Sequence, residues 1–204
     1  MLGLKLPTDP RWVDLANMSL EDILTDHAYC EQKAATYCIS LIQFFYDKEE
    51  LIKQLSPIVT EEWGHFRLVL QEMEKRNIKL GKQRKDEYVL LLHDFILKGG
   101  SREDHLLEKL LVCALIEARS CERFRLLSLD IADDNLKEFY HKFMVSEAGH
   151  YRLFIDLAKK YAGEEKAKKR WQEFLDYEAE IMKKCKNKKK FQRKVPFCLK
   201  RKSW

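Results

Sequence analysis

Residues that break regular structure are scarce in this chain, and their scarcity constrains the fold more than any other feature. The 204 residues include only 7 glycines and 4 prolines, and no proline lies between Pro57 and Pro196. A β-sandwich or barrel needs turn residues roughly every 8–12 positions, whereas long helices do not. The sequence therefore predicts an all-α fold, in a chain long enough to bury a hydrophobic core.

Capping residues divide the chain into predicted segments. Ser19 with Asp22 forms a capping-box pattern, Asp47 with Glu50 repeats an Asp-x-x-Glu pattern, and Ser101 follows a Gly-Gly stop. The predicted segments are an extended arm (1–18), four long helices (19–45, 47–77, 101–131 and 133–163), a connection with a short helix (78–100) and a C-terminal helix (164–184). This order is typical of a four-helix bundle with one long connection between helices 2 and 3.

Two of the predicted helices contain the same four-residue pattern, Glu62-Trp-Gly-His65 and Glu147-Ala-Gly-His150. Glu and His three residues apart lie on one face of a helix, so both side chains can reach one metal ion. The partner helices carry one candidate carboxylate each, Glu31 and Glu117, and Glu117 lies on an apolar stripe. Each predicted hairpin thus has one Glu on its first helix and Glu-x-x-His on its second, the ligand pattern of di-iron or di-manganese carboxylate bundles.

The positions of the turns test this set of ligands. Residues on the two helices of an antiparallel hairpin face each other only if the turn lies midway between them. The midpoint of Glu31 and Glu62 falls at residues 46–47, and that of Glu117 and Glu147 falls at residue 132. Both midpoints coincide with turns predicted from capping residues, so the four carboxylates are expected at similar heights in the bundle.

Rival residues fit the ligand pattern less well. Glu138 and His141 also form Glu-x-x-His, but they precede the other pair by nine residues and lie on the opposite, polar face of the helix. Glu122 has Arg119 and Arg125 three residues away on either side, which predicts a solvated salt-bridge face. Glu61 competes with Glu62 because it lies four residues before His65.

Gly64 and Gly149 occupy equivalent positions directly before the two histidines. A glycine inside a helix costs roughly 1 kcal/mol relative to alanine. The pair indicates space kept either for close packing or for dioxygen and substrate.

Charge is distributed unevenly. Residues 183–204 carry 11 Lys or Arg and no acidic residue, whereas the rest of the chain is net acidic. We expect a folded domain over residues 1–183 and a basic, flexible tail over 184–204, in which aromatic residues alternate with cations. The six cysteines form no C-x-x-C pair, which predicts reduced core residues in a cytoplasmic protein. We expect no signal peptide, because prolines and Asp9 interrupt any apolar stretch at the N-terminus, and no membrane span, because the longest uncharged run (34–46) is too short.

Four segments resemble the MiaE family of bacterial tRNA hydroxylases: residues 6–12 (LPTDPRW), 26–35 (DHAYCEQKAA), 114–124 (ALIEARSCERF) and 146–151 (SEAGHY). The resemblance covers roughly residues 1–183 and implies a ferritin-like fold with a non-haem di-iron centre. It also implies hydroxylation of the isopentenyl group of 2-methylthio-N6-isopentenyladenosine, next to the tRNA anticodon, with dioxygen and an external electron donor such as a ferredoxin or flavoprotein. Carried over by motif, the iron ligands are Glu31, Glu62, His65, Glu117, Glu147 and His150.

Further roles are expected around this centre. His27 and Tyr151 are candidates to orient the ligands by hydrogen bonding. Basic tail residues are candidates to contact the anticodon loop of tRNA, namely Lys188, Lys189, Lys190, Arg193 and Lys194. The ligand set alone permits iron or manganese, and the sequence leaves open a monomer or a small oligomer.

Two other functional classes fit parts of the pattern. A ferritin-like ferroxidase or peroxide-scavenging di-iron protein would use the same ligands, but it gives no reason for a basic tail. A metal-free helical adaptor would not need inward-facing carboxylates.

Overall fold

A computed structural model describes residues 2–187 and shows that all of their regular structure is helical. The all-α class predicted from the scarcity of turn residues is therefore confirmed. The helices are α1 (Arg11–Met18), α2 (Leu20–Phe44), α3 (Glu49–Lys75), α4 (Glu87–Asp94), α5 (Arg102–Asp130), α6 (Asp134–Ala162) and α7 (Glu164–Asn187). None of these helices is long and apolar enough to cross a membrane.

Within residues 2–187 the chain forms two compact units, one of residues 18–85 and the other of residues 2–17 and 86–187. The predicted boundary between a folded domain and a tail at residue 183 stays a prediction. Residues 188–204, which include most of that tail, lie outside the described residues.

The unit of residues 18–85 is built on the hairpin of α2 and α3. Ser19 is the N-cap of α2 as predicted, but the capping-box prediction is wrong, because its side chain caps no backbone amide and its hydroxyl donates a hydrogen bond to the Asp22 carboxylate instead (2.9 Å). The prediction that Asp47 caps α3 is wrong, because Lys48 occupies the N-cap position and no side chain caps this end. The helix continues through Pro57 as a single element. Apolar side chains of both helices are buried, among them Leu24, Ala28, Leu41, Leu51, Leu55 and Val69.

The other unit contains the hairpin of α5 and α6, with α4 and α7 packed against it. Ser101 caps α5 as predicted and forms a capping box with Asp104, and Asp133 caps α6 by accepting a hydrogen bond from the Leu136 amide (3.1 Å). Gly163 ends α6 with a φ of 84°, a conformation that glycine adopts at little cost. The core is formed by residues such as Leu110, Ala114, Leu136, Tyr140, Phe154 and Phe174.

The N-terminal segment differs from the expected extended arm, because α1 occupies Arg11–Met18. The Asp9 carboxylate accepts a hydrogen bond from the Arg11 amide (3.1 Å) at the start of this helix. Trp12, Val13 and Ala16 are buried on its inner face. An Asp-Pro pair ahead of a helix is a known start signal, but two helical turns contain too few apolar residues for a clear periodic pattern.

Four of the six cysteines are described as free thiols. Cys38, Cys113 and Cys121 are buried, and Cys30 is partly buried. These four match the expected reduced, core-packing residues.

Candidate metal centre

Three predicted ligands come together in the hairpin of α2 and α3. Glu31 lies on α2, and Glu62 and His65 lie on α3, with one ligand atom of each within 4.8 Å of the others. His65 Nδ1 is 3.3 Å from Glu31 Oε2 and 3.6 Å from Glu62 Oε2. All three side chains are buried, with Glu62 only 1% exposed.

Electrostatics in this triad favour the binding of a cation. Burial raises the pKa of Glu31 well above its ordinary value, and the neighbouring charge of Glu62 raises it further. Burial opposes protonation of His65, but its hydrogen bonds to Glu31 and Glu62 and their charges outweigh this and raise its pKa to about 10. Two buried carboxylates therefore need a positive charge between them, which a proton or a divalent metal ion can supply.

His27 lies one turn before Glu31 on α2. Its Nε2 atom is 2.8 Å from Glu31 Oε1, and its side chain is fully buried. Burial lowers the pKa of His27 well below its ordinary value, and the charge of His65 adds to this effect. The ring is therefore neutral, with one N–H to donate.

The hairpin of α5 and α6 brings together a second triad of the same composition. Glu117 lies on α5, and Glu147 and His150 lie on α6, again with one ligand atom of each within 4.8 Å of the others. Their exposed fractions are 5%, 3% and 3%. A buried pair of carboxylates with one imidazole is a donor set for iron or manganese, so this triad also fits a divalent metal ion.

Cys121 lies one turn after Glu117 and is not part of the donor set. Burial, followed by the charges of Glu117 and Glu122, raises the pKa of its thiol to about 11. The protonated thiol donates a hydrogen bond to the Met144 carbonyl (3.3 Å).

The turns of both hairpins lie where the ligand spacing requires them. Residues 45–48 join α2 to α3, and residues 131–133 join α5 to α6. These turns contain the midpoints 46–47 and 132 that were calculated from the carboxylate positions. The i, i+3 spacing of Glu and His then places each pair on one face of its helix.

The rival residues lie elsewhere. Glu138 and His141 are exposed on α6, and Glu61 is 45% exposed with its carboxylate 3.8 Å from His65 Nε2. Glu122 lies outside both triads, but the prediction of a solvated face for it is wrong. It is 6% exposed and accepts hydrogen bonds from the amide and hydroxyl of Thr8 (2.9 and 2.6 Å).

The burial of Glu122 against Thr8 was not predicted, because charged residues three or four positions apart on a helix are usually solvated. Apolar residues flank the charged residues of this part of α5, and this pattern could have indicated that the helix is buried on most of its circumference.

Tyr151 and the two motif glycines have identifiable surroundings. The ring of Tyr151 lies 5.9 Å from that of Trp171 on α7, and the side chain is partly buried. A Cβ atom added at Gly64 or Gly149 would meet nothing within 4 Å. The close-packing interpretation of these glycines is therefore wrong.

The whole chain was also compared with known proteins. The family model described as tRNA-(MS2IO6A)-hydroxylase (MiaE) matches residues 2–193. The chain belongs to the MiaE family. Among curated proteins it is similar to the tRNA 2-(methylsulfanyl)-N(6)-isopentenyladenosine(37) hydroxylase of Pseudomonas putida, with 36% identity over 79% of this chain and 77% of that protein. The enzyme of the same name from Salmonella typhimurium is 28% identical, with the same coverage of each chain.

A solved structure supports the fold class of this MiaE-family chain. Protein 43 from Synechococcus, described as having aldehyde deformylating oxygenase activity, matches 87% of each chain with a TM-score of 0.82 and 33% identity. The predicted ferritin-like, all-α fold is confirmed.

The predicted RNA-binding residues of the tail fall outside residues 2–187, and their role stays a prediction: Lys188, Lys189, Lys190, Arg193 and Lys194.

Proposed function

We propose that this MiaE-family chain hydroxylates the isopentenyl group of 2-methylthio-N6-isopentenyladenosine next to the anticodon of tRNA, at a non-haem di-iron centre. The observation that carries the proposal is the pair of buried Glu, Glu-x-x-His triads, one in each hairpin. The curated relatives named above carry the same activity in their names.

The ligands of the proposed centre are the six residues of the two triads: Glu31, Glu62, His65, Glu117, Glu147 and His150. Two iron ions bound by them would supply the dioxygen activation that insertion of oxygen into a C–H bond requires, because no side chain has the necessary redox range. Iron rather than manganese is part of the proposal, since the donor set accepts both metals.

The chain itself contributes charge, orientation and exclusion of water. Four carboxylates offset the charge of two divalent ions, and burial strengthens this attraction by lowering the local dielectric constant. We propose that His27 donates its N–H to Glu31 and so holds that carboxylate in one orientation, as residues adjacent to metal ligands commonly do. Tyr151 has its ring beside Trp171, so we assign it a packing role rather than an orienting one.

The remaining partners follow from the reaction. Hydroxylation with dioxygen consumes two electrons from outside, which we assign to a ferredoxin or flavoprotein. Because the proposed substrate is tRNA, we propose that the protein acts in the cytoplasm. The tail cations are proposed to contact the phosphates of the tRNA: Lys188, Lys189, Lys190, Arg193 and Lys194. A ferroxidase or peroxide-scavenging role is not favoured, because the curated relatives are named as tRNA hydroxylases.

Mass analysis of nucleosides tests the proposal. Isopentenylated tRNA is incubated with iron-loaded protein, dioxygen and a reductant, then digested. We expect 2-methylthio-N6-isopentenyladenosine to gain one oxygen atom.

Two variants on α6 serve as a matched pair in this assay. Glu147→Ala should abolish the gain, whereas Glu138→Ala, at the exposed rival motif, should retain it. Absence of the gain from wild-type protein with two bound iron ions would overturn the proposed reaction.

A further inference from the structure

The side of α5 that faces away from Glu117 carries a buried polar junction. Arg119 lies two residues after Glu117, which places it about 200° around the helix. Its side chain is 1% exposed, although arginine is almost never fully buried unless paired. The burial of Arg119 therefore requires hydrogen-bond acceptors around its guanidinium.

Every N–H group of Arg119 has an acceptor. Nε donates to Glu178 Oε1 on α7 (3.0 Å), and Nη2 donates to the same oxygen (2.5 Å) and to the Leu6 carbonyl (3.1 Å). Nη1 donates to the Thr8 hydroxyl (3.0 Å) and to Glu122. The planar guanidinium therefore joins α5 to α7 and to the N-terminal segment in one fixed orientation.

Neighbouring residues extend the junction. Arg123, one turn after Arg119, is 5% exposed, with its guanidinium 5.9 Å from the ring centre of Trp12 on α1 and 5.8 Å from that of Tyr88 on α4. The Tyr88 hydroxyl donates to Glu178 Oε1 (3.3 Å). The back of α5 is thus held by directional contacts from the N-terminal segment, α1, α4 and α7.

Directional contacts control rotation of a helix in a way that apolar packing does not. An atom about 6 Å from the helix axis moves by about 1 Å when the helix rotates by 10°. Metal sites and catalytic sites tolerate errors of only about 0.5 Å. The orientation of α5 is therefore decisive for the carboxylate of Glu117 on its opposite side.

We propose that Arg119 is a positioning residue for Glu117: by tying α5 to Thr8, Leu6 and Glu178, it fixes the rotation of the helix and so places this carboxylate for metal binding. The inference rests on the proposed role of Glu117 as a metal ligand. It also gives the N-terminal segment a function, since Leu6 and Thr8 supply two of the acceptors.

The chain offers a matched control in a second buried Arg–Glu pair between the same two helices. Arg170 on α7 donates from Nε and Nη2 to the two carboxylate oxygens of Glu108 on α5 (2.6 and 2.7 Å), and Nη2 also donates to the Phe95 carbonyl (2.9 Å). It is 7% exposed. Glu108 precedes Glu117 by nine residues, about 13 Å along the helix, so loss of this pair removes a similar ion pair far from the ligand.

The experiment compares Arg119→Gln with Arg170→Gln in the full chain. Apoprotein is titrated with Fe²⁺ or Co²⁺, the number of bound ions and their affinities are measured, and the visible absorption of bound Co²⁺ reports the ligand geometry. We expect Arg119→Gln to weaken the binding of one of the two ions by about 10- to 100-fold, the size of effect typical for residues that orient ligands. The Co²⁺ spectrum should change as well. Arg170→Gln should bind two ions with wild-type affinity and spectrum.

A milder variant keeps the inference testable if Arg119→Gln does not fold. Thr8→Val removes the hydroxyl that bridges Arg119 and Glu122 without changing charge. It should weaken the binding of the same metal ion several-fold. In the tRNA assay Arg119→Gln and Thr8→Val should lower kcat and leave the KM for tRNA unchanged, because both side chains are buried and present almost no surface to a partner.

The outcomes separate this inference from the proposed function. The positioning role alone would be overturned if Arg119→Gln bound metal with wild-type affinity, or if Thr8→Val did so where Arg119→Gln does not fold. An equal loss of metal affinity in Arg170→Gln would overturn it too. Failure of the wild-type protein to bind two ions would overturn the metal centre and the inference together.

Discussion

His27 and Glu31 lie one helical turn apart on α2, and their closest side-chain atoms, Nε2 and Oε1, are 2.8 Å apart. The contact has a consequence for metal binding because the imidazole is neutral and fully buried. In the orienting role proposed for His27, the ring holds one oxygen of the Glu31 carboxylate, and the other oxygen is 3.3 Å from His65 Nδ1.

Replacement of His27 by Phe should therefore weaken metal binding in the triad of Glu31, Glu62 and His65 by about 10- to 100-fold, the usual effect of removing a partner of a metal ligand. His27→Gln keeps an N–H donor and should lose less metal affinity. Equilibrium titration of the apoproteins with Fe²⁺ measures the affinity of both variants. Equal affinities for wild type and His27→Phe would contradict the orienting role.

Adjacent acidic residues on α3 provide a second test. Glu62 is 1% exposed beside His65, whereas the side chain of Glu61 is 45% exposed. Glu62→Ala should reduce the iron content from two ions per chain to one or fewer and abolish hydroxylation, while the helices stay folded. Glu61→Ala should retain two ions and full turnover. Elemental analysis measures the iron content, circular dichroism the helical content, and mass analysis of tRNA nucleosides the turnover. The reverse pattern would assign the ligand to Glu61.

The motif glycines should respond to substitution differently from a glycine in a strained turn. Nothing lies within 4 Å of a Cβ atom added at Gly64 or Gly149, so Gly64→Ala and Gly149→Ala should each stabilise the protein by about 1 kcal/mol. For a chain of this size that corresponds to a rise in Tm of about 2–4 °C. Gly100→Ala should be destabilising, because Gly100 has a φ of 101° and its Cβ would lie 2.9 Å from Asp104 Oδ2. Thermal unfolding of the three variants measures these changes, and a fall in Tm for the two helical variants would show that these positions require glycine.

Much of the candidate metal centre was predictable because its determinants are local. The i, i+3 spacing of Glu and His needs only helical geometry, and the turn before α6 needed only the capping residue Asp133, whose side chain accepts the expected hydrogen bond. Lys48 shows the limit of this reasoning, since it is the N-cap of α3 and no side chain caps the start of that helix.

The buried junction of Arg119 and Glu122 was not predictable from local pattern. Whether a charged residue on a helix is solvated depends on what packs against it, and here the partners of Arg119 are Glu178, 59 residues away along the chain, and Thr8, 111 residues away. The short helix α1 was not predicted for a related reason. Burial of Trp12 stabilises its two turns, and two turns are too short to show a long periodic pattern.

Metal binding by the triad of Glu31, Glu62 and His65 should depend on pH in a definite direction. Burial and the charge of Glu62 raise the pKa of Glu31, and the two carboxylates raise that of His65 to about 10, so the apoprotein binds protons there near neutral pH. A metal ion must displace these protons, and its apparent affinity should rise as the pH increases from about 6.5 towards 10. In the metal-free protein the same groups bind more protons folded than unfolded, so its free energy of unfolding should fall over this range. Calorimetric titration with Fe²⁺ near pH 7, in two buffers of different ionisation enthalpy, should show release of at least about one proton for the ion bound by this triad. Binding without proton release would contradict the raised pKa values.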